Sequence, residues 1–232
     1  MPETLSILGR DISIYYLSWF VAIAATVVIG LFLAKDYGYS LSKAVSLTAV
    51  ALMLDFLLIL LTTAIYGEFN LVRSVPPLPL AYVLEAWIFK EPFRKMTDFL
   101  SPLGVTCFGL THFGCVFPGC CHGYPSAWGI YSNVAGTVCF PIQPIEAVVS
   151  ILIGATMILM IKKKWQKGYL IFWMFTLFGS TRFILEFFRD NEKIWHNVSE
   201  LALHAMATFI IGVVMLLILK SFDKKGCEYE RH

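Results

Sequence analysis

The chain has 232 residues, 58% of them hydrophobic and only 15% charged, and its formal net charge is +2. A mean hydropathy of +0.72 is far too apolar for a soluble domain of this size and marks an integral membrane protein. So small a net charge gives no basis for a nucleic-acid partner.

In chain order, apolar segments with roughly the length that crosses a bilayer core fall at 13–34, 42–65, 76–90, 98–117, 144–161, 168–188 and 200–220. This pattern predicts an all-α, polytopic membrane protein with about seven transmembrane helices around a lipid-facing cavity. The third segment is the weakest, because PPLPLAYVLEAWIF is short, opens on prolines and holds Glu85. A re-entrant or interfacial helix there would leave six spans. The stretch MPETLSILGRDIS lacks the form of a cleavable signal, so the first helix is expected to act as its own insertion signal. No internal repeat or linker interrupts the sequence, and one membrane-embedded domain over 1–232 is expected.

Seven spans sort the cations cleanly. Lys35, Lys43, Lys90, Arg94, Lys95, Lys162, Lys163, Lys164, Lys167, Lys220, Lys224, Lys225 and Arg231 fall on one side, and only Arg10, Arg73, Arg189 and Lys193 on the other. The positive-inside rule then puts the C-terminus in the cytoplasm, and the N-terminus and the loop 112–143 outside.

An ionisable residue inside a span costs several kcal/mol unless it is partnered, so each one is a functional candidate. These are Asp55, Glu85, Glu146, and Arg182 and Glu186 followed by Arg189. In TRFILEFFRD the spacing of Arg182, Glu186 and Arg189 sets all three on one helical face. One reading is a buried Arg–Glu bridge with a purely structural role. The other is an anion site in which Glu186 orients two guanidinium groups onto a lipid phosphate.

The loop HFGCVFPGCCHGYPSAWG places two histidines and three cysteines within eleven positions, punctuated by glycines that let the backbone bend and approach a ligand. The C-x4-C-C-H spacing lacks the paired C-x2-C of zinc sites, so neither metal nor cofactor is expected. Cys120 and Cys121 read as one reactive thiol with a neighbour, or as two packing residues. A disulfide from this loop to Cys139 is a further possibility in an oxidising compartment.

GLTHFGCVFPGCCHG, AWG, FPIQPIE and TRFILEFFRD, in this order and spacing, resemble the prolipoprotein diacylglyceryl transferases over the last two thirds of the chain. The family's G-R-x-G-N-F-x-N-G-E-x-x-G is matched at Gly114, Gly119 and Gly123, and its P-W-G at Trp128 and Gly129. Its H-P-x-Q-x-x-E is matched at Pro141, Gln143 and Glu146. The most specific match is its R-F-x-x-E-F-F-R, at Arg182, Phe183, Glu186, Phe187, Phe188 and Arg189. ISIYYLSWF resembles the family's W-Y-G segment and would make Tyr16 its functional tyrosine. The departures are equally plain. The family's H-G-G segment has no counterpart, its arginine falls on His112, its two asparagines on Cys115 and Pro118, and its glutamate on Cys120.

The resemblance implies a seven-span enzyme of the bacterial inner membrane that moves a diacylglyceryl group from phosphatidylglycerol to a lipobox cysteine. It implies binding of the phospholipid by Tyr16, Gln143, Glu146, Arg182 and Arg189. His112 or His122 would serve as base, being the side chains whose ordinary pKa lies nearest working pH. Glu186 would position the arginines, and Cys120 or Cys121 is the alternative nucleophile. Two other classes stand beside it: a membrane thiol–disulfide protein, and a phospholipid-binding protein without catalysis.

Overall fold

The structure, a computed structural model, describes residues 4–7, 10–196 and 198–229. A short hairpin of β1 (Thr4–Ile7) and β2 (Arg10–Ser13) leads into α1 (Ile14–Leu33), a 3-10 turn and α2 (Leu41–Tyr66). Then follow α3 (Leu71–Ser74), α4 (Leu78–Phe89) and α5 (Phe93–Gly114). A second hairpin, β3 (Pro125–Ser132) and β4 (Thr137–Cys139), precedes α6 (Ile142–Lys162) and α7 (Leu170–Glu186). A third, β5 (Lys193–Trp195) and β6 (Val198–Ser199), precedes α8 (Glu200–Tyr229).

Each of the seven expected apolar segments carries a helix, and the chain is an all-α polytopic membrane protein. Four of the helices, α1 with its 3-10 turn, α2, α6 and Glu200–Asp223 of α8, are long and apolar enough to cross a membrane. Phe20, Val28, Phe32, Leu57, Leu152, Leu159 and Leu217 lie exposed along them, as lipid favours and water does not.

The third segment is broken rather than straight. With 12 residues α4 rises only about 18 Å, short of a hydrocarbon core of about 30 Å. Its ends are nevertheless at opposite ends of the bundle. Arg73 on α3 pairs with Glu200 at 3.0 Å, whereas Glu91 just beyond α4 pairs with Lys43 at the start of α2. The turn and Pro76, Pro77 and Pro79 interrupt the helix that carries the chain across.

Of the basic set expected on one side, Lys43, Arg94, Lys95 and Lys162 gather at one end, while Arg231 and the side chains of Lys224 and Lys225 lie outside the described residues. There Lys162 meets Asp36 at 2.6 Å, Arg94 meets Asp223 at 2.7 Å, and Lys95 joins Lys43 on Glu91. Asp98 of α5 accepts from the backbone N–H groups of Gly168 and, at 2.9 Å, Leu170, capping the otherwise orphaned start of α7. The apolar core lies on this side of the bundle, around Leu33, Leu47, Met96, Phe99, Phe172 and Phe175.

Between helices the close approaches are made by small residues, because lipid gives apolar side chains little reason to leave it and tight packing must supply the attraction. Gly109 of α5 lies against Ala147 and Ser150 of α6, and Gly154 of α6 against Thr106 of α5. Gly179 of α7 faces α8 so closely that an added Cβ would stand 2.5 Å from the Phe209 nitrogen. Gly179→Leu should therefore force α7 and α8 apart and destabilise the protein by about 1–3 kcal/mol, an overpacking cost. Thermal unfolding in detergent checks this, and an unchanged midpoint would contradict the packing.

Candidate active site

At the end of the bundle opposite the basic cluster, the candidate charges on α6 and α7 converge instead of facing lipid. The Glu146 carboxylate, on the second turn of α6, takes Arg182 Nη1 at 2.7 Å on one oxygen. Its other oxygen meets Arg189 Nη2 at 2.5 Å and His112 Nε2 at 3.1 Å. Glu186 closes the network, with Arg182 Nη2 at 3.0 Å and Arg189 Nε at 3.5 Å. Ser199 Oγ donates to Glu186 at 2.8 Å, as does the amide of Asn191. All five side chains of the core network are at least 94% buried. Two guanidinium groups thus balance two carboxylates around one imidazole, the pairing that low dielectric demands.

Some donors in this network stay unused. Arg182 Nε and His112 Nδ1 are buried and have no hydrogen-bond partner among the described residues, and Arg189 Nε has only the long 3.5 Å approach to Glu186. The ring of His112 stacks on Phe108, centroids 4.3 Å apart, and Phe108 packs edge-on against Phe178 at 4.8 Å. Phe108 and Phe178 also line an apolar cavity of about 320 Å³ between α1, α2, α4, α5 and α7, whose other walls include Trp19, Leu52, Phe56 and Ile59. Such a cavity accepts alkyl chains, and its one carboxyl group is Asp55.

The loop after α5 roofs the network. Residues 122–124 run antiparallel to 188–190, with Tyr124 N donating to Phe188 O at 3.2 Å and Asp190 N to His122 O at 3.2 Å. Gly123 is required at their crossing, since a Cβ there would stand 2.8 Å from the Phe188 carbonyl oxygen. Arg189 Nη1 donates to Cys121 O at 2.8 Å, and Gln143 Nε2 donates to Cys120 O at 2.8 Å. The loop is therefore pinned to the network by two side chains from below.

Of the candidates read from sequence, His112, Gln143, Glu146, Arg182, Glu186, Arg189, Cys120 and Cys121 meet here. Tyr16 does not: it lies 64% exposed on α1, and its neighbour Tyr15 faces the cysteine turn. One residue turns a helix by about 100°, so the two tyrosines cannot share a side. The His122 side chain also stays outside the network, with Nδ1 3.1 Å from Gly123 O and 4.0 Å from Asp190. Cys139 makes no disulfide; it is a buried free thiol held in β4, where its backbone pairs with β3. Glu85 and Asp55 lie apart from the network, near Tyr82.

Sequence reading missed Phe108, Asn191, Ser199 and Tyr15. Only Ser199 carried a signal, as the residue whose Oγ accepts from Ala202 N at 3.1 Å and so caps α8. Its second role on Glu186 has no local signature.

The Cys121 thiol is drawn well below the ordinary cysteine value, first by hydrogen bonds from the Cys115 and Cys120 thiols and then by the nearby Arg189 guanidinium. A lowered pKa means thiolate at lower pH, and Cys121 is also the exposed member of the three. Iodoacetamide applied one pH unit below the usual thiol value of about 8.5 should modify Cys121 before Cys107, Cys115, Cys120 or Cys139. Peptide mapping by mass spectrometry reads the order, and equal modification of Cys120 and Cys121 would contradict it.

No curated protein matches the chain. A family model described as prolipoprotein diacylglyceryl transferase matches residues 79–218, more than half of the sequence and all of the buried network. With the R-F-x-x-E-F-F-R residues and the Q-x-x-E glutamate built into a single site, the chain belongs to the prolipoprotein diacylglyceryl transferase family of membrane transferases.

Proposed function

We propose that the protein transfers the diacylglyceryl group of a glycerophospholipid such as phosphatidylglycerol to a thiol, the lipobox cysteine of a prolipoprotein, at a bacterial inner membrane. The observation that carries this reading is His112. Its Nε2 is tied to Glu146 at 3.1 Å, while Nδ1 is buried, has no hydrogen-bond partner among the described residues, and belongs to a ring stacked on a wall of the apolar cavity.

A carboxylate on one ring nitrogen fixes the tautomer, so the proton stays on Nε2 and Nδ1 keeps its lone pair. In the proposed reaction Nδ1 takes the proton of the acceptor thiol. The thiolate attacks the sn-3 carbon of the glyceryl group, a C–S bond forms and the C–O bond to phosphate breaks. The electron pair leaves with the phosphate, which becomes a monoester and takes the proton back from His112. Negative charge grows on that phosphate as the bond breaks, and the unpaired Nε–H of Arg182, with the Arg189 guanidinium beside it, is offered to receive it. The cavity holds the acyl chains, so desolvation strengthens these contacts.

Direct transfer fits the chemistry better than a covalent stop at Cys120 or Cys121. A diacylglyceryl group on either would be a thioether, and a thiolate is a poor leaving group from a saturated carbon. Cys120 and Cys121 therefore serve the site through their carbonyl groups and not as nucleophiles.

His112→Gln should slow modification of a lipobox peptide by about 10²–10⁴-fold, the usual worth of a general base. Arg182→Lys should slow it too, because charge is kept and the planar fork is lost. Mass spectrometry of the peptide, with phosphatidylglycerol vesicles as donor, reads both. A full rate in His112→Gln would overturn the base assignment, and product formation in neither variant nor parent would favour a lipid carrier.

The charge sorting supports an orientation with the hairpin end outside and the C-terminus in the cytoplasm. Val134→Cys, at an exposed position, should be labelled in intact cells by a membrane-impermeant maleimide, and Lys163→Cys only after permeabilisation. The reverse pattern would invert the orientation.

A further inference from the structure

Three thiols take no part in that reaction, yet they are held together. The sulfur atoms of Cys115, Cys120 and Cys121 lie within 4.8 Å of one another, and none is in a disulfide. Sulfurs bound at about 2.3 Å to one ion in a trigonal arrangement stand about 4 Å apart, so a contraction of under ~1 Å would complete the set.

This grouping is not what adjacency alone produces. Neighbouring side chains in a helix or strand diverge, and Cys120 and Cys121 converge only because the backbone is left-handed at Gly119 (φ 75°) and at Cys121 (φ 57°). A left-handed conformation strains any residue with a Cβ and persists where its surroundings dictate it. Here they do. Gly119 N bonds back to Cys115 O at 3.1 Å, and Ser132 Oγ donates to Gly119 O at 2.7 Å. The carbonyls of Cys120 and Cys121 are captured by Gln143 and Arg189. The turn is thus fixed by the protein before any ligand arrives, with Cys121 exposed as a route of entry.

We propose that Cys115, Cys120 and Cys121 form a three-thiolate site for one thiophilic d10 metal ion, zinc(II) or copper(I). Thiolate donors without a carboxylate select soft ions and reject magnesium and calcium. Each thiol gives up its proton to solvent on binding. Around zinc(II) three thiolates leave one negative charge, around copper(I) two, and the Arg189 guanidinium beside Cys121 offsets part of it. Three ligands satisfy copper(I); zinc(II) would keep a fourth position open. A bound ion would tie the end of α5 to the loop that roofs the buried network.

The test uses the full chain without a polyhistidine tag, in detergent, reduced and free of oxygen. One portion is titrated with cobalt(II), a coloured probe of zinc sites, and another with copper(I) against a chromogenic chelator. One ion per chain should bind in one of the two arms, with sulfur-to-cobalt charge-transfer absorption if the site is of the zinc type. Cys120→Ser and Cys121→Ser should each abolish that equivalent, and Cys107→Ser and Cys139→Ser should keep it. Cys121→His, at the exposed position, retains a ligand and should recover binding, which separates loss of a donor from loss of fold. No saturable binding in either arm overturns the proposal, as does binding that survives removal of both Cys120 and Cys121.

Discussion

A single carboxylate, that of Glu146, holds this end of the protein together. Within 3.1 Å it meets an imidazole from α5, a guanidinium from α7 and a second guanidinium from the turn after α7. In an apolar surrounding neither guanidinium is tolerable alone, and removing one partner of a buried pair costs about 3–5 kcal/mol. Three segments distant in sequence are therefore locked to one depth of the bundle. The small residues at Gly109 and Gly154 are part of the same constraint, since α5 and α6 must approach closely for His112 to reach Glu146.

The two ends of the bundle use charge differently. At the basic end, pairs such as Lys162 with Asp36 and Arg94 with Asp223 sit at partly exposed positions, where water screens them and each is worth at most about 1 kcal/mol. They follow the sorting of charge across a membrane more than they create stability. At the other end the pairs are sealed beneath the loop after α5, and Phe108 joins them to an apolar cavity. A buried polar network thus stands beside an apolar cavity, with Phe108 in contact with both.

Hydropathy alone located a helix in each of seven apolar segments, because each is an apolar run with few equals in a soluble chain. It also marked the third segment as irregular, through its prolines and Glu85, but not that α3 and α4 together still carry the chain from one end to the other. On α7 the helical period brought Arg182 and Glu186 to one face. Arg189 lies past the end of the helix and reaches back, and its meeting with Glu146 and His112 is tertiary, with no local trace. That Tyr15 and not Tyr16 faces the cysteine turn was not legible, because α1 is apolar all round and nothing in its pattern says which side faces inward. The thiol cluster was illegible as C-x4-C-C because it depends on left-handed backbone at Cys121, where a side chain is rarely found.

The departures from the family pattern make sense together. By the resemblance read from the sequence, His112 takes the place of a family arginine and Cys120 that of a family glutamate, which would replace one permanent cation and one permanent anion in the same neighbourhood. Either change alone would unbalance a site in which Arg182 and Arg189 already answer Glu146 and Glu186 one for one. Made as a pair, they leave the network neutral, which is the condition for burying it at all. What the pair alters is the kind of charge available. An arginine holds its proton at every working pH, whereas an imidazole can exchange one, and this is the difference on which the proposed role of His112 rests.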